Sequence, residues 1–132
     1  MGFKQHGSSD VWKKNKILFA KLVGSWNKEA AIDYSNKFKD EAQSLIREPW
    51  AHIVYLDDWE LCEPSMFEVI QDLVQWSLDN GLTRAANVHK PSGVKKEFIN
   101  KMVLEQTSTF KRAVFSNEQD ALTWLKQEGF SF

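Results

Sequence analysis

The segment Ala51–Leu56, AHIVYL, is apolar at every position except His52. A strand wetted on one face alternates apolar and polar side chains, whereas an unbroken apolar run belongs to a strand covered on both faces. This run therefore predicts the central strand of a layered α/β sheet. The flanking signals agree. Lys16–Val23 alternates, with Leu18, Ala20 and Leu22 on one face and Ile17, Phe19, Lys21 and Val23 on the other. Asp10–Lys13 precedes it across a Lys14-Asn15 step short enough for a hairpin, and asparagine tolerates positive φ. Thr83–His89 and Lys111–Phe115 read as two further strands.

Helix signals separate the strands. Gly24-Ser25-Trp26-Asn27 is expected to break the second strand, with Asn27 as N-cap and Glu29 at the positive end of the helix dipole. Ala31, Tyr34, Phe38, Ala42 and Leu45 form one helical face, and Pro49 ends that segment. The next helix carries Met66, Phe67, Val69, Ile70, Leu73, Val74 and Leu78, apolar around much of its circumference, so deep burial is expected. Gly81 suits a left-handed C-cap position. Pro91-Ser92-Gly93 leads into a helix with Val94, Phe98 and Met102 at steps of four. Ser116 and Gln119 match a capping box for the last helix, whose apolar face is Ala121, Leu122 and Leu125 and whose stop is Gly129. The order ββαβαβαβα predicts a mixed sheet of about five strands, with an antiparallel N-terminal hairpin, mainly parallel pairs elsewhere and about four helices. The periodicity leaves open whether helices cover one face or both. Residues 1–9 read as a loose leader and 10–132 as one domain.

Charge and composition narrow the function classes. Seventeen basic residues stand against 18 acidic ones, a net of −1. A general nucleic-acid binder shows a basic surplus or stripe instead, and the Lys13, Lys14, Lys16 cluster reads as a solvated hairpin. The single cysteine, Cys62, forms no internal disulfide, which favours a reducing, cytoplasmic setting. Met1–Asp10 lacks the apolar core of a signal peptide. No run approaches the ~20 apolar residues of a membrane helix.

In open α/β sheets ligands bind beyond the carboxyl ends of the strands. The loops expected there are Gly24–Asn27, Asp57–Pro64, Lys90–Gly93 and Ser116-Asn117. They place Trp26, Asn27, Asp57, Asp58, Trp59, Ser65 and His89 on or near one rim. Trp26 and Trp59, in expected loops, are candidate contact residues; the alternative for Trp59 is to fold back and close the core. Trp12 and Trp124 are expected to pack, and Trp76 to flank a buried helix face. Cys62 and His89 form a thiolate pair only if the fold joins them, and Glu63 beside the thiol raises its pKa, the wrong direction; the alternative is a lone buried thiol. Asp57-Asp58 has two readings, a Mg²⁺ site beside a phosphate or a loop anchor, and no glycine-rich phosphate loop accompanies it. Lys90-Pro91-Ser92-Gly93 resembles a phosphate turn only loosely. His6, His52 and His89 lack metal-ligand spacing; His6 is in the leader, and His52 reads as a satisfied strand histidine. No metal and no cofactor is implied. Ser65 opens a capping box with Glu68, or is a phosphorylation site at a helix N-terminus.

The strand and helix order, the hairpin start and the ending AVFSNEQDALTWL resemble the SpoIIAA-like fold of STAS domains, found in anti-sigma-factor antagonists and sulfate-transporter tails. GSWNKEAAIDYSNKF, VYLDDWELCEPSMFEVIQDLVQWSLDNGL and FSNEQDALTWL are similar to small stand-alone bacterial STAS-like proteins of unassigned function. The resemblance spans residues 8–128. In regulatory members, the loop after the third strand carries Asp-Ser-(Ser/Thr)-Gly, whose serine a partner kinase phosphorylates. Here the stretch is Cys62-Glu63-Pro64-Ser65-Met66: Ser65 is the nearest serine, the glycine is absent, and Pro64 and Met66 replace small residues. The resemblance implies a non-enzymatic domain that binds a protein or a small ligand at this edge. The first reading is a cytoplasmic bacterial interaction domain in a regulatory role, docking a protein partner through Trp59, Ser65 and the start of the following helix. The alternative is a binder of a small apolar or amphipathic ligand with Trp26 and Trp59 lining its pocket. The third reading is an enzyme using Asp57 or His89. A flat apolar patch favours the first and a closed cavity under the rim the second.

Overall fold

A computed structural model describes residues 7–102 and 106–131, except the side chains at 61, 62, 98, 101 and 102. The leader residues 1–6 with His6, the Cys62 thiol, and the Phe98 and Met102 side chains lie outside the described residues. β1 (Ser8–Lys14) and β2 (Ile17–Trp26) form the antiparallel hairpin. Its turn is Asn15-Lys16, one residue later than expected, because Asn15 takes the positive φ of 54°. Ser8 and Ser9, expected in the leader, belong to β1.

β3 (Trp50–Tyr55), β4 (Trp59–Cys62), β5 (Leu82–Val88) and β6 (Lys111–Phe115) complete a six-stranded sheet. The main order is β1-β2-β3-β5-β6, with every pair after the hairpin parallel. β3 is central and β1 lies at an edge, as the apolar run predicts. Val54 and Leu56 are 6% and 3% exposed. The sixth strand, β4, was expected to be a loop. It pairs with the far end of β2, because β2 does not break at Gly24 but bends through it. Gly24 has a φ of 86°, and its N–H donates to the Asp58 carbonyl at 2.9 Å. A Cβ there would stand 3.2 Å from the Gly7 Cα. β2 thus serves two partners in series: Ile17–Lys21 pairs with β3, and Gly24–Trp26 with β4.

Among the described residues the helices are α1 (Lys28–Ala42), α2 (Phe67–Asp79), α3 (Gly93–Met102) and α4 (Glu118–Gln127). Both sheet faces are covered. Leu18, Ala20 and Leu22 of β2 point into a core shared with α1, α2 and α3. Ile17 and Phe19 point into a second core with Ala121 and Leu125 of α4. The alternation along β2 assigned these faces correctly. Trp12 is half-exposed and stacks on Phe19 and Tyr55, and Trp124 packs on Phe115.

Several helix ends differ from expectation. Asn27 caps α1 as predicted, its Oδ1 accepting from the Ala30 N–H at 3.0 Å. α1 ends at Ala42, well before Pro49, and the turn that follows still carries Leu45 into the core. The cap of α4 is Asn117, not Ser116: its Oδ1 accepts from the Asp120 N–H at 2.8 Å. The Ser65–Glu68 capping box does not form. Pro64–Met66 makes a 3₁₀ turn, α2 starts at Phe67, and Ser65 Oγ donates to the Glu63 carboxylate at 3.3 Å. α2 is also less buried than expected. Only Ile70, Leu73 and Ser77 are fully covered, since the sheet takes one face and the flanks, including Trp76 beneath the Lys39 ammonium, stay half-buried. After α2, Gly81 has a φ of 102°, and a Cβ there would meet the Glu48 carbonyl at 3.1 Å.

Candidate functional site: an apolar cavity between the sheet and three helices

The two sheet faces differ in what covers them. The α4 face carries small residues, Ala51, Ala86 and Ala121, that allow close approach. The opposite face carries large aromatics that do not fill their layer completely. A cavity of about 100 Å³ remains there. Leu22, Trp26, Val54, Leu56 and Trp59 form its sheet-side wall; Tyr34, Phe38, Met66, Ile70, Leu73 and Ile99 close it from the helices.

The aromatic wall is a continuous chain of ring contacts. Trp26 meets Tyr34 edge-on at 5.4 Å, Tyr34 meets Phe38 at 5.7 Å, and Phe38 meets the His52 ring at 5.0 Å. Such edge-to-face pairs fix ring orientation as well as burying area. The Trp26 indole N–H donates to the Val23 carbonyl at 3.0 Å. The Trp59 indole N–H, equally buried, has no hydrogen-bond partner among the described residues.

Polar groups sit at two places on the wall. His52 Nδ1 lies 2.8 Å from the Leu18 carbonyl and therefore carries the proton that it donates. Nε2 is left as the acceptor for the Tyr34 hydroxyl at 3.4 Å. Burial pushes the His52 pKa down to about 4, against the opposing pull of the Leu18 carbonyl. Burial likewise raises that of Tyr34, so both rings are neutral at pH 7. At the other place, the buried Arg112 guanidinium donates to Asn87 Oδ1 at 3.2 Å and Asn100 Oδ1 at 2.8 Å. Asn87 and Arg112 both line the cavity, giving an apolar chamber one cationic end.

The structure separates the residues that sequence placed on one rim. Trp26 and Trp59 are 1% and 2% exposed, in β2 and β4, and form cavity wall rather than loop surface. The pairing of their two strands turns both indoles inward. Asn27 is buried as a cap. Asp57 is a loop anchor: its Oδ1 accepts from the Lys90 N–H at 2.8 Å. Asp58 faces solvent and pairs with Lys21 at 3.4 Å. His89 is buried with Nδ1 2.7 Å from the Lys90 carbonyl. Ser65 is exposed. Among the described residues no cluster of three histidine, cysteine or acidic side chains is placed to hold a metal, and no helix is long and apolar enough to cross a membrane. The sequence reading missed Asn87 and Arg112. The signal available was a polar residue at an inward position of an otherwise apolar strand, as in Ala85-Ala86-Asn87-Val88.

No family model matches the chain, and no curated protein matches it. Among solved structures it is similar to an uncharacterized protein of the DUF3478 family, with a SpoIIAA-like fold, from Shewanella loihica PV-4. That likeness covers 95% of this chain and 98% of the other, at 16% identity and a TM-score of 0.64. Helices on both faces of a mixed sheet with an N-terminal hairpin, together with this match along nearly the whole chain, give the molecule a SpoIIAA-like, STAS-like fold.

Proposed function

We propose that the domain is a non-enzymatic binder of a small apolar or amphipathic molecule, held in the cavity behind Trp26 and Trp59. The observation that carries this reading is the chamber itself: an almost wholly apolar wall closed by Asn87 and Arg112 at one end. An engineered apolar cavity of ~150 Å³ binds benzene, so this one suits a guest of a few heavy atoms, and a larger guest requires the helices to move. The lone Cys62 supports a cytoplasmic setting, and the resemblance a bacterial one. The test is a titration with benzene and with butyrate, followed through backbone amide shifts. Saturable shifts confined to cavity-lining residues such as Trp59, Ala85, Asn87 and Arg112 are expected, with the shift at Arg112 larger for butyrate than for benzene. Absence of saturable shifts with either probe refutes the reading.

A protein-docking role at the same edge has its own support. Glu63, Pro64 and Ser65 are exposed on the turn whose next residue, Met66, is cavity wall, so a partner seated there contacts the chamber through one residue. Because Ser65 caps nothing, Ser65→Ala is expected to leave stability within about 0.5 kcal/mol. Loss of a co-purifying protein in Ser65→Asp then reports docking rather than folding. Retention of the same partner by Ser65→Asp and by Glu63→Lys removes this edge as the docking surface.

A further inference from the structure

On its side of the sheet α4 packs chiefly on β5 and β6, and it leaves the hairpin beside it open: Trp12 is 41% exposed. Successive residues of a strand point to opposite faces. Val11 of β1 joins the core beneath α1, and Lys13 pairs with Glu41 of α1 at 3.6 Å. Asp10, Trp12 and Lys14 therefore stand on the α4 side, and all three are exposed. On α4 itself Glu118, Leu122 and Lys126 follow one another at steps of four, which aligns them along one side of the helix. A shallow groove of about 340 Å³ runs between the two rows, with Trp12 and Lys14 on one bank and Glu118 and Leu122 on the other. Tyr55 fixes their spacing, since its ring stacks on Trp12 and its hydroxyl hydrogen-bonds the Glu118 carboxylate.

The two rows run in the same sense. β1 is antiparallel to β2, so Lys14 lies beside Ile17 at the start of β2, and Asp10 lies beside Lys21 nearer its carboxyl end. α4 begins beyond the carboxyl end of β6 and returns along the sheet, which puts Glu118 at the carboxyl end and Lys126 at the other. Each row thus reads acid, apolar, base in the same direction: Asp10, Trp12, Lys14 and Glu118, Leu122, Lys126. Asp58 and Lys21 at the acidic end pair with each other at 3.4 Å and add no net charge.

A nucleic acid or an anionic surface laid on this face is repelled at the acidic end, and a uniformly basic partner at the other. A surface with the same two poles in opposite order fits it, and the face turned by half a rotation is such a surface. We propose that the open face of the hairpin and α4 is the interface of a homodimer, closed by a two-fold axis that passes beside Trp12. In such an isologous contact every pairing occurs twice. Asp10 and Glu118 of each copy meet Lys14 and Lys126 of the partner, and the two Trp12 rings come together at the centre, where a buried tryptophan contributes most to binding. The face lies on the opposite side of the sheet from the apolar cavity, so the benzene and butyrate titrations do not bear on it.

The test is sedimentation equilibrium of the full chain over a concentration series, at low and at high salt. A monomer–dimer equilibrium is expected that weakens as salt screens the charge pairs, and Trp12→Ser is expected to weaken it by about tenfold or more. Two charge-reversed variants separate association from folding. Lys14→Glu with Lys126→Glu makes the face acidic throughout, and Asp10→Lys with Glu118→Lys makes it basic throughout. Each is expected to be monomeric alone, with a cooperative melting transition that shows it folded. Mixed, they are expected to form a heterodimer, detected by native mass spectrometry, because the half-rotation sets every new acid against a new base. A mere loss of structure in either variant does not produce that recovery. A wild-type chain that stays monomeric at every concentration overturns the proposal and leaves the two rows to a different partner. A dimer that survives both reversals, or folded variants that do not combine, overturns it too.

Discussion

Trp59→Ala is expected to cost about 3–5 kcal/mol of folding stability, enough to remove much of the margin of a domain this size. Trp59 is 2% exposed and stands in the wall of an existing cavity. Truncation therefore enlarges a void the surrounding aromatics already fail to fill, and Trp26, Tyr34 and Phe38 are braced against one another and cannot collapse into it. Trp59→Phe should recover most of the loss, because the indole N–H it removes has no partner among the described residues. Urea denaturation of the two variants checks both statements. A surface anchor behaves in the opposite way: truncation leaves the melting curve almost unchanged and weakens a complex. An unaltered melting temperature in Trp59→Ala would place the side chain outside the core and return it to a docking role.

The second large effect is acid sensitivity through His52. Its folded-state pKa is about 4, below the unfolded value of about 6.5. In the pH range between these values the unfolded chain binds a proton that the folded chain refuses. The stability associated with the neutral buried ring is therefore complete above about pH 6.5 and is lost as pH falls toward about 4, by roughly 3 kcal/mol. His52→Asn keeps a donor for the Leu18 carbonyl and removes the titrating ring. It is expected to be less stable at pH 7 but to lose that much less on going to pH 4. Parallel stability-versus-pH curves for the two proteins would show that His52 titrates normally in the folded state.

What the sequence revealed follows from how local each signal is. Ala51–Leu56 and Lys111–Phe115 are read correctly because an apolar run or an alternation is a property of consecutive residues. Asn27 is read correctly because the capping acceptor lies three residues away. Ser65 and Ser116 are misread because a serine in a capping pattern competes with its neighbours. Asn117 takes the cap at α4, and the Pro64–Met66 turn displaces the start of α2. β4 is invisible because Trp59-Glu60-Leu61-Cys62 is too short to show a period, and because Gly24-Ser25 reads as a break until a partner strand is there to pair with it. That one missed pairing turned Trp26 and Trp59 from buried wall into apparent rim. The cavity is less legible still. It is what remains when five strands, a turn and three helices fail to fill a layer, and no short segment encodes a remainder.

The divided pairing of β2 has a consequence for how any guest enters. Along Ile17–Lys21 the strand is locked to β3 in the middle of the sheet, and releasing it would dismantle both cores. Its far end is held to β4 only between Gly24 and Trp26, across an irregular register, with flanking bonds from Gly24 to Asp58 and from Glu63 to Trp26. Local openings have lower free energy where the ladder is short. β4 is thus a seam: lifting it uncovers both indoles while the central sheet stays closed. On the proposed binding role, residence time would follow how often this seam parts, so that a guest could be long-lived without being tightly bound.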